Sequence, residues 1–286
     1  MGTPANAVKA NVTTKMNVTT KMNVTTNDAK AAATKTSMTA DAATWPASPS
    51  VLVVMPTYNE RENLETTVGG VFRHCPQVHV LVVDDNSPDG TGRLADAMAE
   101  SDGRVHVLHR REKNGLGPAY LAGFTWALDH GYDVICEMDM DGSHRPQDLA
   151  RLVALSCREP DVDLVIGSRR VPGGRMENWP WYRDLISRGG SWYARTMLGI
   201  RVFDMTAGFR AYHASMLRRI DFADVESGGY VFQIDMTRHV VAAGGTIREL
   251  PITFVQRARG VSKMSSAIVV EAMVRVTQWG IRRMFI

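Results

Sequence analysis

Apolar residues gather in short β-branched runs, at Val51 to Met55, Val80 to Val83, Asp133 to Cys136 and Asp163 to Ile166, and each run ends in a polar cluster. Stretches of helical length separate them. From Val51 onward the pattern predicts strand 51–55, helix near 60–73, strand 78–83, helix near 91–100, strand 104–108, helix 117–130 and strand 133–138. Such alternation predicts βαβ units and a mostly parallel sheet covered by helices on both faces, an α/β fold. Ligands of such sheets sit at the carboxyl ends of the strands. The polar clusters fall there: Pro56-Thr57-Tyr58-Asn59-Glu60, Asp84-Asp85-Asn86-Ser87, Asp139-Met140-Asp141 and Gly167-Ser168-Arg169-Arg170.

Beyond Arg169, Pro172-Gly173-Gly174 marks a loop before a helical segment from about 180 to 198. Arg183, Ser187, Ser191 and Arg195 recur on it at four-residue spacing, with Arg188 beside them. This stripe reads either as a solvated face or, given arginines without acidic partners at the right spacing, as an anion site. The segment 265–286 reads as one amphipathic helix with Glu271, Arg275, Gln278 and Arg282 on a narrow polar stripe. It packs on its own domain or lies against a membrane surface or membrane-embedded partner, with Trp279, Arg282, Arg283 and Phe285 near its end. Residues 1–48 differ: Thr, Ala, Asn, Lys and Met dominate, and the unit Asn11 to Met16 recurs at Asn17 to Met22. That composition predicts a disordered tail, leaving one domain over 49–264.

With 286 residues and 44% hydrophobic content the chain can bury a full core. A net charge of +3 permits contact with anionic lipid or phosphate but falls short of a nucleic-acid footprint, so no nucleic-acid partner is expected. Cys75, Cys136 and Cys157 show neither CxxC spacing nor an even count, which points away from a disulfide framework or zinc site and toward a reducing cytosol. No apolar stretch approaches the ~20 residues of a membrane span, and no secretory leader pattern opens the chain. A soluble or peripheral protein is expected.

The acidic triplet is the sharpest chemical feature. In an extended segment alternate side chains share a face, so Asp139 and Asp141 can offer two carboxylates to one hard cation, Mg2+ or Mn2+ holding a diphosphate. Aspartates also cluster in solvated turns, and His144 nearby reads equally well as a loop residue without a role.

Taken in order, VLVVMPTYNE (Val51 to Glu60), VLVVDDNSPDG (Val80 to Gly90), KNGLGPAYLAG (Lys113 to Gly123), DMDGSH (Asp139 to His144), GSR (Gly167 to Arg169) and RARGVSK (Arg257 to Lys263) resemble the family-2 inverting glycosyltransferases. Within them the chain looks like the polyprenol (dolichol) monophosphate mannose synthases, over about residues 50–264. The resemblance implies a GT-A (Rossmann-like) fold, GDP-mannose as donor, polyprenyl phosphate as acceptor and a divalent metal, at the cytoplasmic face of a membrane. By similarity Pro56, Tyr58, Glu60, Asp85 and Lys113 hold the nucleotide, Asp139 and Asp141 handle the metal diphosphate, and Arg257 with Lys263 closes over the phosphates. Arg169, Arg183, Arg188 and, more weakly, Ser187 match positions facing the acceptor phosphate. Ser143 stands where some relatives carry a Gln metal ligand, and its hydroxyl is a poorer donor. Asp235 sits where other family-2 enzymes place a catalytic acid.

A phosphate monoester is already largely ionised at neutral pH and attacks without a general base. Arginines, which orient an oxyanion without taking its proton, suit that acceptor. Two other readings stay open: another donor such as UDP-glucose, and a non-catalytic nucleotide-binding subunit.

Overall fold

The computed structural model describes residues 49–226, 231–256 and 266–284, together with Met1. The tail expected over 1–48 lies outside these described residues.

A 7-stranded sheet contains β1 (Val51–Thr57), β2 (His79–Asp84), β3 (Val105–His109), β4 (Val134–Glu137), β5 (Leu164–Ser168), β7 (Arg210–His213) and β8 (Ile247–Pro251), in the order β3-β2-β1-β4-β7-β5-β8. Short strands β6 (Arg175–Glu177) and β9 (Thr253–Val255) pair parallel beside it. Around the sheets lie α1 (Arg61–His74), α2 (Thr91–Ser101), α3 (Leu116–Asp129), α4 (Pro146–Arg158), α5 (Trp181–Leu198), α6 (Ala214–Leu217), α7 (Val231–Ala242) and α8 (Ser266–Met284). Every pairing in the main sheet is parallel except those of β7, which runs antiparallel between β4 and β5.

The strands read as continuous apolar runs because both faces are covered. Leu52, Val54, Leu81 and Val83 join a core with α3, α5, α7 and α8, while Val51, Val53, Met55, Val80 and Val82 join a second core with α1, α2 and α4. Helix α3 approaches β1 so closely that a Cβ on Gly123 would lie 2.4 Å from Val54 Cγ1. A glycine is required there, because the β-branched Val54 side chain has little room to move aside.

The fourth strand is shorter than the hydrophobic run suggests. Pairing stops at Glu137, and the acidic triplet lies in a turn through Gly142, whose φ of +78° suits glycine. Alternation still survives the break: Met138 and Met140 are both buried in the second core, which leaves Asp139 and Asp141 as the intervening positions.

At the opposite, amino end of the strands, the Tyr132 hydroxyl lies 2.8 Å from His79 Nδ1 and 3.2 Å from His106 Nε2, and the two ring nitrogens are 3.0 Å apart. Burial lowers the pKa of both imidazoles; Arg104 adds to this at His79 and Asp102 opposes it, while His79 and His130 add to it at His106. Unfolded histidine titrates near ~6.5, so the stability contributed by this pair is complete above that pH and is lost as pH falls through the lower folded values. Melting temperature is expected to drop between pH 7.5 and pH 5, and a His79→Asn/His106→Asn double variant should flatten that slope. An unchanged slope would assign the acid sensitivity to other groups.

Candidate active site

The acidic turn is held from four directions. Thr67 on α1 donates to the Met140 carbonyl at 2.9 Å, the Asp139 N–H donates to His144 Nδ1 at 3.0 Å, and Tyr120 on α3 donates to Asp139 Oδ1 at 3.3 Å. Within the turn, the Ser143 N–H donates to Asp141 Oδ1 at 3.0 Å, and the Ser143 carbonyl accepts from Val255 on β9. His144 is therefore a positioning residue: it stacks on Phe209 with ring centroids 4.5 Å apart, and burial first, with Arg169 adding and Asp141 opposing, pushes its pKa down to about 4. The neutral ring keeps its Nδ1 lone pair for the Asp139 amide. Burial likewise holds the Tyr120 phenol far above its ordinary pKa, so it remains a donor to Asp139.

Beneath the turn lies a buried polar layer. Gln233 on α7 donates to Glu137 at 2.5 Å, and Arg210, opposite Glu137 in the β4–β7 register, donates to the Ala207 carbonyl, Tyr212 and Thr237. Burial, against the pull of Arg210 and Gln233, pushes the Glu137 carboxyl up to about 7.

On the nucleotide side, the ends of β1 and β2 turn sharply at Asn59 and Asn86, whose φ values of 59° and 58° are left-handed. Asparagine tolerates that region better than most residues. Lys113 Nζ stands 3.9 Å over the Tyr58 ring, bringing together two residues 55 positions apart in the chain. Asp85 accepts from Arg110 Nη1 at 2.6 Å; burial raises the Asp85 pKa and Arg110 opposes the rise. Arg110 was not among the expected site residues. The Glu60 N–H donates to Thr91 and its carboxylate accepts from Asn63, while Pro56 is half-buried near the end of β1.

The cationic side is more neutralised than its sequence suggests. Arg169, at the carboxyl end of β5, donates to Asp204 from its backbone N–H, Nε and Nη2 at 2.9, 2.8 and 2.7 Å, and to Thr206 Oγ1 at 3.0 Å. Thr206 in turn lies 3.4 Å from the Ser187 hydroxyl on α5, so Arg169 and Ser187 belong to one hydrogen-bonded chain. Arg188 does have an acidic partner, contrary to the reading of its stripe: Asp184, one turn earlier, accepts from its Nε at 2.8 Å. Asp184 also accepts from Arg170. Arg195 stacks over Phe203, and Arg183 stands half-buried in the first turn of α5.

Asp235 is fully buried on α7, accepting from the Glu226 N–H and Arg238 with His239 nearby. Gln233, two residues earlier, points to the opposite side of the helix and reaches Glu137. Arg257 and Lys263 lie outside the described residues. Helix α8 packs on its own domain through Val276, Trp279 and Gly280, with Tyr193 on α5 2.5 Å from Thr277, and Arg275 pairs with Glu226.

The acidic turn offers oxygen donors to a cation. Ser143 Oγ is buried without a hydrogen-bond partner among the described residues, two positions from Asp141. Among the described residues no group of three or more His, Cys, Asp or Glu side chains is arranged to hold a metal unaided. A cation here would complete its shell from a bound ligand, the habit of Mg2+ and Mn2+ with phosphates, and the residues present fit that use.

The profile of glycosyl transferase family 2 matches residues 52–224. A polyprenol monophosphomannose synthase of Mycolicibacterium smegmatis is 54% identical over 85% of the chain and 91% of its own length. An undecaprenyl-phosphate mannosyltransferase of Micrococcus luteus is 56% identical over 81% and 94%. Among solved structures, glucosyl-3-phosphoglycerate synthase of Mycobacterium tuberculosis, crystallised with Mn2+, UDP-glucose and phosphoglyceric acid, superposes with a TM-score of 0.60 at 19% identity, covering 80% of each chain. That likeness speaks to the fold.

Proposed function

The chain belongs to glycosyl transferase family 2, and from this we propose that it transfers mannose with inversion from GDP-mannose to a polyprenyl phosphate, giving polyprenyl-phosphate mannose and GDP. The observation that carries the reading is the 54–56% identity to two enzymes named for lipid-phosphate mannosyl transfer, over nearly their whole lengths. The site's layout supports it. Tyr58, Lys113 and Asp85 line the nucleotide side, the fixed Asp139–Asp141 turn meets the diphosphate, and Arg169, Arg183 and Ser187 receive the acceptor phosphate. Mg2+ or Mn2+ held by Asp139 and Asp141, with Ser143 beside them, would neutralise charge on the departing diphosphate. Arg257 and Lys263 add cationic charge to the same leaving group in this reading, while Asp235, turned toward Glu226 and Arg238, acts only by holding α7, whose Gln233 reaches Glu137 beneath the acidic turn.

The lipid must reach the site from a membrane. Among the described residues no helix is long and apolar enough to cross one. Helix α5 nonetheless exposes Trp181 at 77%, Leu185 at 62% and Trp192 at 65%, beside the outward Val270, Met273 and Val274 of α8. An exposed apolar face on two packed helices supports peripheral attachment, to lipid or to an embedded partner, and the proposed reading sets it at the cytoplasmic membrane face.

Incubating the purified protein with radiolabelled GDP-mannose, Mg2+ and a short polyprenyl phosphate should yield a labelled mannolipid. Faster labelling from UDP-glucose would favour another donor. Tight GDP binding without any lipid product would leave a non-catalytic subunit.

A further inference from the structure

We propose that Arg170 binds the anionic headgroup of the acceptor through the Nε–Nη2 edge of its guanidinium, an assignment that rests on the lipid-phosphate reading above. The Arg170 side chain is only 6% exposed, and its Nη1 is engaged by Asp184. Nε and Nη2 are buried and have no hydrogen-bond partner among the described residues. These two atoms form one side of the planar group, the parallel N–H fork that matches two oxygens of a phosphate. A buried cation with that whole edge unpaired is expensive to maintain, and an arriving oxyanion removes the cost. Such an edge is a binding device.

Charge and position agree. Arg169 pairs with Asp204, while Arg170 and Arg188 share the single carboxylate of Asp184, two guanidinium charges on one anion. Arg170 follows Arg169 at the end of β5, its N–H donating to Ser168 Oγ at 3.2 Å, and Asp184 ties it to α5 three residues before Ser187. The exposed Trp181 and Leu185 flank Asp184 on that helix, so an isoprenoid lying along α5 would bring its phosphate to this cluster. Asp184 sets the plane of the guanidinium, and the opposite edge is left for the ligand.

The test compares full-length protein with Arg170→Lys, which keeps the charge and removes the fork, and Arg170→Met, which removes both. Calorimetric binding of geranyl phosphate should weaken at least tenfold in Arg170→Lys and further in Arg170→Met, while GDP-mannose affinity stays within twofold. In turnover the acceptor KM should rise with kcat little changed, a split that a general loss of structure would not give. Inorganic phosphate showing the same dependence would identify the phosphate group itself as the ligand, and geraniol should show none. Geranyl phosphate binding unaltered in both variants, or an equal loss for GDP-mannose, overturns the assignment. Should Arg170→Met melt at lower temperature, Arg170→Lys decides. Mannosyl transfer with acceptor KM indifferent to Arg170 would sink this assignment alone; Arg170-dependent geranyl phosphate binding without transfer would sink only the proposed reaction.

Discussion

Asp141→Ala is expected to lower mannosyl transfer about a thousandfold or more while leaving the melting temperature within a few degrees of wild type. A bound cation contributes several kcal/mol to stabilising a developing anion, and each ~1.4 kcal/mol is a factor of ten in rate. The structural cost is small by comparison. Asp141 accepts from the Ser143 N–H within its own turn, and the turn is fixed by groups that the substitution leaves in place: Thr67 on Met140, His144 on the Asp139 amide, and the buried Met138 and Met140. Asp141→Asn should fall nearly as far, since a neutral amide is a weak ligand for a hard ion. Transfer measured against Mg2+ concentration checks the assignment. Wild-type rates in Asp141→Ala at saturating Mg2+ would remove the carboxylate pair from the chemistry.

The framework of this site was legible because its strands are buried on both faces, which writes each of them as a run of Val, Ile and Leu followed by polar residues. Strand β7 was not. Its sequence Arg-Ala-Tyr-His carries no apolar run, and in its interior place in the sheet Arg210 is satisfied by Ala207, Thr237 and Tyr212 only in the folded molecule. The same limit hid Asp204 and Arg110, which act on Arg169 and Asp85 across 35 and 25 positions. Distance in the chain erases that signal. The Asp184–Arg188 pair was different, since its four-residue spacing on one helix is written in the sequence itself.

Asp204→Ala should destabilise the protein by about 3–5 kcal/mol, the usual cost of breaking a buried ion pair by removing one partner. Typical domains are stable by only ~5–15 kcal/mol, so this is a large fraction of the total. The carboxylate is fully buried and accepts three N–H groups of Arg169, whose side chain is itself 9% exposed. Removing it takes a full charge and three hydrogen bonds away from a residue whose guanidinium has little access to water. Asp204→Asn keeps the shape and one acceptor oxygen, and should lose less. Burial alone would raise the Asp204 pKa, but the charge and hydrogen bonds of Arg169 outweigh it and hold the carboxyl below its ordinary value. Its contribution is therefore complete above about pH 4, the unfolded value, and is lost as pH falls through the lower folded one. Urea unfolding at pH 7 and at pH 3 should then show the gap between wild type and Asp204→Ala narrowing in acid. A gap below ~1 kcal/mol at pH 7 would mean that Arg169 finds another anion when Asp204 is gone. The same carboxylate, with Thr206, sets the plane of Arg169 beside Ser187, so the variant should also raise the acceptor KM more than the donor KM. Equal rises in both would point to a collapse of the whole strand end.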